Sequence, residues 1–176
     1  MRIAERRWTH NRSEWGHTGR GDPPLPTHWL KEGRWHDEPD KVQWIDGDTR
    51  YACLAVRNHW GAWCGYVGVP ETHPCYRRHY DEVDADVHGE LTFADLCQES
   101  APEGHGICHI PEPGHPDNVW WLGFDCGHFM DFQPRWPKLF DQAGWPERAQ
   151  YRTLDYVQAE CERLAAQLYL MDLVGI

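Results

Sequence analysis

The sequence is poor in lysine and contains none of the short motifs that commonly identify an enzyme. Only Lys31, Lys41 and Lys138 occur among its 176 residues, so chemistry that needs a lysine amine has few candidates. The sequence has no Gly-rich phosphate-binding loop, no G-x-S-x-G elbow and no H-E-x-x-H helix. These absences argue against the common nucleotide hydrolases, serine hydrolases and zinc peptidases.

Long apolar runs and paired cysteines are also missing. A membrane-spanning helix needs roughly eighteen or more consecutive apolar residues, and the sequence has no such run. No charged and then apolar leader begins it, and its seven cysteines include no C-x-x-C pair. We therefore expect reduced thiols, a cytoplasmic location and no membrane association.

Positive charge is scarce over most of the chain. The net charge is −11, of which residues 1–34 carry +3 and residues 35–176 carry −14. General nucleic-acid binding depends on Lys and Arg that neutralise phosphates, so the sequence argues against it. The division predicts a basic N-terminal arm, residues 1–34, on a single acidic domain, residues 35–176. We expect Trp8, Trp15 and Trp29 to dock the arm partly on that domain.

Apolar patterns predict the fold class, which is α+β. We expect a small antiparallel sheet packed by a long C-terminal amphipathic helix, with long irregular loops. Strands are predicted at 51–56, 62–69, 83–88 and 119–124, with a turn at 58–61 in which Gly61 has positive φ. A short helix is predicted after Thr92, and a long loop at 98–118.

The C-terminal helix, predicted over 153–172, has the clearest pattern of any element. Its apolar residues recur at spacings of three and four: Leu154, Val157, Cys161, Leu164, Leu168 and Met171. Gly175 is a natural stop. A pattern of this kind can join two copies of a chain, but it more often covers a sheet, and we expect it to do so here.

Several motifs in the domain resemble those of a family of uncharacterised proteins encoded by bacteriophages and prophages. They are W-H-D-E-P-D-K at 35–41, C-G-Y-V-G-V at 64–69, D-V-H-G at 86–89 and W-W-L-G-F-D-C-G-H at 120–128. With the helical segment, the resemblance spans about residues 35–172. Members of the family tend to have Gly at the position of Glu90 and Ala at that of Gly127. The resemblance implies a phage accessory gene and no particular mechanism.

A first polar run beside a glycine provides candidate functional residues. Asp84, Asp86 and His88 would share one face of the predicted strand, and Glu90 follows them. Such a face can build a metal or general-base site. A calcium loop that ends at Asp95 is a further possibility, although imidazole is a poor calcium ligand. A solvated sheet face is the commoner outcome.

A second polar run follows the apolar strand at 119–124. If His88 came close, then His88, His128 and either Asp125 or Asp131 would give three ligands and an open position for catalytic zinc. Alternatively, Cys126 would be a nucleophile with His128 or His88 as its base. The structural alternative is that Asp125 caps the next turn and Cys126 is a small buried residue.

Histidines and a cysteine in the predicted loop form a third cluster. His105, Cys108, His109 and His115 lie close together in the sequence. Structural zinc sites usually combine two ligand pairs, and only one compact cluster is visible. We therefore expect surface-loop histidines rather than a metal site.

Tryptophans beside the polar runs are candidate ligand contacts. Trp63 and Trp121, together with Asp86 and Glu90, form the predicted ligand-binding set, because aromatic rings near a polar cleft can stack on a base or a sugar. Tryptophans in strands are more often part of the core. Trp120 and Trp121 would point to opposite faces of one strand, so at most one of them would line a cleft.

Two functions from different classes fit these observations. The first is a phage accessory protein in the bacterial cytoplasm that binds a host component. That component is either a host protein or a nucleotide or other small molecule, and a counter-defence inhibitor of a defence protein or its nucleotide signal fits the setting. The second is a small metal- or thiol-dependent hydrolase with His88, Asp125, Cys126 and His128 as catalytic residues and zinc as the candidate cofactor. In either case we expect the site near 125–128, on the side of the sheet away from the helix.

Overall fold

The computed structural model describes residues 1–10, 33–97, 101–134 and 149–176. Within them the strands are β1 (Arg2–Trp8), β2 (Lys41–Asp46), β3 (Ala52–Arg57), β4 (Trp63–Pro70), β5 (Phe93–Asp95) and β6 (Val119–Asp125). The α-helix is α1 (Leu154–Val174), and short 3-10 turns occur at Arg34–His36 and Tyr80–Glu82. The predicted α+β class is confirmed. Trp15 and Trp29 lie outside the described residues.

The described strands form one antiparallel sheet in the order β1-β2-β3-β4-β6-β5. The β3–β4 hairpin is closed as expected by a turn in which Gly61 has a φ of 80°. Asn58 Oδ1 stabilises this turn by accepting from the backbone N–H groups of Trp60 and Ala62, at 3.0 and 3.1 Å.

The first residues of the predicted arm are part of the sheet. β1 pairs with β2, which places Arg2 opposite Asp46 and Trp8 opposite Lys41. Trp8 also donates from Nε1 to Glu103 Oε1 at 3.0 Å. The structure therefore places residues 2–8 in the sheet rather than in a separate arm. Because β1 is an edge strand with largely exposed side chains, its sequence lacks the alternation of apolar and polar residues from which a strand is predicted.

The two faces of the sheet are covered by different parts of the chain. We call the face that packs on α1 the helix face; it contributes the buried residues Trp44, Cys53, Trp63, Val67 and Phe124. We call the other the loop face; it contributes Leu54, Tyr66 and Trp121, which cluster with Ile107 of the loop at 101–118. Gly65 permits the close approach of α1, because a Cβ there would lie 2.7 Å from Cys161 Sγ.

The predicted C-terminal helix is confirmed. Thr153 caps α1 by accepting from the Tyr156 N–H at 3.3 Å, and Gly175 ends it in the left-handed conformation with a φ of 74°. The side that packs on the sheet buries Leu154, Val157, Cys161, Leu164 and Leu168. Among the described residues, no helix has both the length and the apolar character needed to cross a membrane.

The strand predicted at 83–88 is wrong, because this segment runs along α1 without a neighbouring strand. Helix side chains satisfy its backbone instead. Gln167 accepts from the Asp86 N–H at 2.8 Å and donates to the Asp86 carbonyl at 2.9 Å. Glu160 accepts from the His88 N–H at 2.9 Å.

The short helix predicted after Thr92 is also wrong. The segment forms β5, which pairs with β6 at the edge of the sheet. Phe93 lies opposite Gly123 and packs edge-on against Tyr66, with ring centroids 5.3 Å apart. Because Gly123 has no side chain, aromatic rings can pack over it. This tertiary contact of Phe93 with Tyr66 favours the strand conformation of β5 over a helix.

Two buried polar side chains of β2 hold the loop on the sheet. Lys41 Nζ donates to the carbonyls of Glu103 and Cys108, at 2.5 and 2.6 Å. Gln43 exchanges two hydrogen bonds of 2.8 Å with the backbone of Ile110. A disulfide joins Cys97 to Cys108, so the expectation of reduced thiols is wrong for this pair. The other five cysteines are free and buried.

Candidate functional site

The structure brings the predicted residues His88, His128 and Asp131 together beside α1. His88 Nε2 lies 2.7 Å from Asp131 Oδ2, and the same carboxylate oxygen accepts from the His128 backbone N–H at 3.2 Å. The two imidazole rings have centroids 5.6 Å apart. Gly89 permits this contact, because it has a φ of 65° and a side chain there would overlap the His128 ring.

Both ring nitrogens of His88 already have partners. Nδ1 lies 3.0 Å from the Tyr156 hydroxyl, and Nε2 contacts Asp131. Arg152 Nε donates to the other oxygen of Asp131 at 2.8 Å. Burial alone would raise the pKa of Asp131, but the hydrogen bonds from His88 and Arg152 outweigh it and lower that pKa. Within the cluster, therefore, neither His88 nitrogen is free to act on a substrate, whereas His128 Nε2 is buried and has no hydrogen-bond partner among the described residues.

The predicted metal ligands do not converge on a common point. His88 and Asp131 face each other at hydrogen-bonding distance, and Asp86 of the proposed calcium loop is paired with Arg163 at 2.9 Å. Cys108 of the loop cluster is part of the disulfide. Across the described ranges, no three His, Cys, Asp or Glu side chains are grouped so that they could hold a metal ion.

Cys126 is a core residue. It is 1% exposed and packs on the helix face with Phe124. Burial raises the pKa of its thiol well above the usual value, with a further contribution from the charge of Asp131. A thiol that neither ionises nor reaches solvent is a poor nucleophile, so the structural interpretation of Cys126 is the better supported one.

The two candidate tryptophans are buried on opposite faces of the sheet. Trp63 and Trp121 both have no exposed surface. Trp63 donates from Nε1 to Glu38 Oε2 at 3.0 Å, and Trp121 packs edge-on against His109 at 5.3 Å. Neither side chain is open to a ligand.

The motif at 35–41 builds the start of α1. Glu38 Oε2 accepts from Arg57, from Trp63 Nε1 and from the Tyr151 hydroxyl, at 2.9, 3.0 and 2.6 Å. Its other oxygen accepts from the Leu154 N–H at 2.8 Å. A carboxylate at a helix N-terminus accepts a hydrogen bond from an otherwise unpaired N–H group and interacts favourably with the positive end of the helix dipole. The acidic part of this motif is thus structural.

An open pocket of about 380 Å³ lies on the loop face where β6 ends. Its lining contains four aromatic and four polar side chains: Trp60, Tyr66, Phe93 and Phe124, and Asn58, Thr92, Asp125 and Gln133. We call it the β6 pocket. It lies at the predicted place, the end of the 119–124 strand on the side away from α1. Gln133 has no sequence signal that would have identified it.

The polar groups of the β6 pocket meet around Gly127. Asp125 Oδ1 accepts from the Gly127 N–H at 2.9 Å, as expected for a turn cap, and Oδ2 accepts from Thr92 Oγ1 at 3.1 Å. Gln133 Nε2 donates to the Gly127 carbonyl at 3.0 Å. Gln133 is only 6% exposed, and its Oε1 has no hydrogen-bond partner among the described residues.

A wider depression of about 640 Å³ follows residues 80–91. Five carboxylates line it: Asp81, Glu82, Asp84, Asp86 and Glu90. We call it the acidic depression. Asp81 contacts His79 and Asp86 contacts Arg163, whereas Asp84 and Glu90 have no ion-pair partner in the part of the chain that the structure describes. Glu90 has a φ of 71°, a left-handed conformation that favours glycine.

No protein-family model matches the sequence. Neither a curated protein nor a solved structure matches the chain. The β6 pocket, the acidic depression and the cluster of His88, His128 and Asp131, which we call the His88 cluster, are therefore the features that bear on the function.

Proposed function

We propose that the chain is a phage accessory protein that acts by binding a basic host protein. The acidic depression carries this proposal, because it presents five carboxylates on one concave surface, and three of them, Glu82, Asp84 and Glu90, have no ion pair among the described residues. The charge of −14 on residues 35–176 adds a long-range attraction for a basic partner. Electrostatic complementarity of this kind speeds association and selects the partner.

A host protein is better supported as the ligand than a nucleotide signal. In the described part of the chain, no Lys or Arg lines either the acidic depression or the β6 pocket. Nucleotide phosphates are bound mainly through Lys and Arg side chains and helix N-termini, and carboxylates in these positions would repel them. The anionic alternative therefore has less support than a protein with exposed basic side chains.

The hydrolase alternative also has less support than binding. Both nitrogens of His88 are used internally, and Cys126 is buried with a raised thiol pKa. His88 and Asp131 are joined by a hydrogen bond, and His128 contacts Asp131 through its backbone N–H, so the three side chains are not arranged as ligands around a common point. The β6 pocket and the acidic depression present carboxylates and aromatic rings to solvent, which suits recognition.

The phage setting implied by the motif resemblance suggests what such binding achieves. A small acidic protein that occupies the basic surface of a host defence protein would act as a counter-defence inhibitor. We propose the cytoplasm of the bacterial host as its location. The five free thiols support a reducing compartment, and the Cys97–Cys108 disulfide weighs against it.

Charge reversal in the acidic depression tests the proposal. Tagged wild-type protein should capture a basic protein from lysate of the host bacterium, and the double variant Asp84→Lys with Glu90→Lys should reduce this capture about tenfold. The matched control is Asp48→Lys with Asp117→Lys, which changes the net charge equally at exposed positions outside the depression.

Capture is measured by quantitative mass spectrometry, and circular dichroism checks that all variants fold. The control should retain the partner. Equal capture by the wild type and by the Asp84 and Glu90 double variant would contradict the proposal, as would equal loss in both double variants.

A further inference from the structure

The β6 pocket has aromatic walls held in place by the sheet. Tyr66 on β4 and Phe93 on β5 meet edge to face at 5.3 Å and 85°. Trp60, in the turn between β3 and β4, packs against His59 at 4.3 Å. The faces of aromatic rings are electron-rich and attract cations. A volume of about 380 Å³ accommodates one large side chain.

The polar atoms that the β6 pocket leaves available are hydrogen-bond acceptors. Each oxygen of Asp125 accepts one hydrogen bond, from Gly127 or Thr92, and Oδ1 also lies 3.9 Å from His128 Nε2. An ionised carboxylate can accept about four hydrogen bonds in all. Gln133 Oε1 has no partner among the described residues although its side chain is more than nine-tenths buried. An unpaired buried acceptor is unfavourable, so a ligand donor that reaches this atom would stabilise the bound state.

The negative charge and the acceptors lie close together. A Cβ placed on Gly127 would be 3.0 Å from Asp125 Oδ1 and 3.3 Å from Gln133 Nε2, so both side chains flank one backbone position. Among the residues that the structure describes, no lysine or arginine lines the pocket beside Asp125. A ligand that fits must therefore be cationic, rich in donors and able to lie against a ring.

We infer that the β6 pocket binds the guanidinium group of an arginine side chain. Guanidinium is planar, always charged and carries five N–H donors that can reach Asp125 and Gln133 together. It also stacks on aromatic faces such as those of Trp60 and Phe93. A lysine ammonium is compact and strongly hydrated, and it lacks the flat surface that the pocket walls match.

This inference rests on the proposed function, because the arginine belongs to the basic host protein. The β6 pocket and the acidic depression are adjacent along the chain. Glu90 and Leu91 line the depression, and Thr92 and Phe93 line the pocket. A basic segment of the partner that lies in the acidic depression would therefore place an arginine side chain in the β6 pocket, at one end of the depression.

Titration with a small arginine analogue tests the site directly. N-acetyl-arginine methylamide is added to the full chain, labelled with 15N on its tryptophan indoles, and Trp60 is assigned with the Trp60→Phe variant. We expect a saturable shift of the Trp60 indole signal with a dissociation constant on the order of millimolar. The isosteric, uncharged citrulline analogue should give no shift, and the lysine analogue should bind about fivefold more weakly.

Two variants show whether Asp125 and the aromatic wall form the site. Asp125→Asn keeps an acceptor for the Gly127 N–H and should weaken the arginine analogue about tenfold. Asp95→Asn is the matched control at an exposed position of β5 outside the pocket and should change nothing. Phe93→Leu, which removes one ring and keeps Asp125, should weaken binding about threefold.

Several results would overturn the inference. They are no shift at Trp60, equal binding of the citrulline or the lysine analogue, or unchanged affinity in both Asp125→Asn and Phe93→Leu. If the analogue does not bind while host capture still depends on Asp84 and Glu90, the pocket inference fails and the proposed function stands. If the analogue binds while charge reversal leaves capture unchanged, the proposed function fails on its own.

Discussion

Asp131 holds the polar cluster beside α1 together. Its buried carboxylate accepts from Arg152 on one oxygen, and on the other it meets His88 and the His128 backbone N–H. A carboxylate of this kind is stabilising only while it is ionised, because protonation would remove an acceptor from Arg152. The residue therefore links the stability of the fold to pH.

We predict that Asp131→Asn lowers the free energy of unfolding by about 3 kcal/mol at pH 7, since it leaves Arg152 without its partner. The folded pKa of Asp131 is lowered, so its contribution is present above the unfolded pKa of about 4. That contribution is lost as the pH falls through the folded value. Urea denaturation from pH 7 to pH 2 should give a shallower acid decline in the variant. Parallel wild-type and variant curves would contradict the assignment.

Glu90 stores backbone strain. An L-residue with a φ of 71° costs about 1 kcal/mol relative to glycine. We predict that Glu90→Gly raises the free energy of unfolding by about 1 kcal/mol in thermal and urea denaturation, while Glu90→Ala, which keeps the strain, gives no gain. A gain in the alanine variant would mean that charge repulsion in the acidic depression, rather than φ, is being relieved.

At the scale of elements, the sequence predicts the helix and the strands that have a local apolar pattern. It misses the strands that form because of contacts with residues distant in the sequence. α1, β3, β4 and β6 have apolar patterns of the expected period, and they were predicted within about two residues of their bounds. β2 was not predicted, because two of its inward-facing residues are Lys41 and Gln43. Their role becomes visible only when the loop supplies carbonyls to both.

The site could be predicted only in part for the same reason. The sequence indicated that His88 and His128 could meet and that the end of the 119–124 strand would line a cleft. The partners that occupy both nitrogens of His88 include Tyr156, which comes from α1 and is far away in the sequence. Gln133 lines the β6 pocket through a hydrogen bond to Gly127, and no local pattern contains that contact.

The attachment of the loop to β2 predicts an unusual response to alkali. Burial lowers the pKa of the Lys41 ammonium to about 8, although the charge of Glu103 opposes the shift. The folded chain then releases this proton before the unfolded chain does, so Lys41 should add stability as the pH rises from about 8 to about 10, by up to about 3 kcal/mol. The neutral amine still has two N–H groups for the two carbonyls.

The difference in unfolding free energy between the wild type and Lys41→Met isolates this effect, because ionising cysteines and tyrosines affect both proteins equally. We predict that, in guanidinium denaturation, the unfolding free energy of the wild type minus that of Lys41→Met increases between pH 8 and pH 10. A difference that is constant with pH would show that Lys41 stays charged in the folded protein.

At the scale of the whole molecule, the sheet separates a closed side from an open one. α1 and the segment at 83–88 seal the helix face, and the His88 cluster fills the remaining polar space there. The loop covers only part of the loop face and leaves the β6 pocket accessible. Two of the open concave surfaces, the β6 pocket and the acidic depression at the outer surface of the 80–91 segment, present carboxylates to solvent. Net charge, pocket chemistry and the position of the loop thus favour the same kind of partner.

The position of α1 along the chain also constrains how the protein is made. Every strand of the described sheet is synthesised before residues 154–174 leave the ribosome, so Trp44, Trp63 and Phe124 have no cover during most of translation. Domains that close through contacts distant in sequence fold slowly and expose apolar surface while they wait. The nascent sheet is therefore expected to bind chaperones, and the yield of folded protein should depend on how soon the C-terminal helix is synthesised.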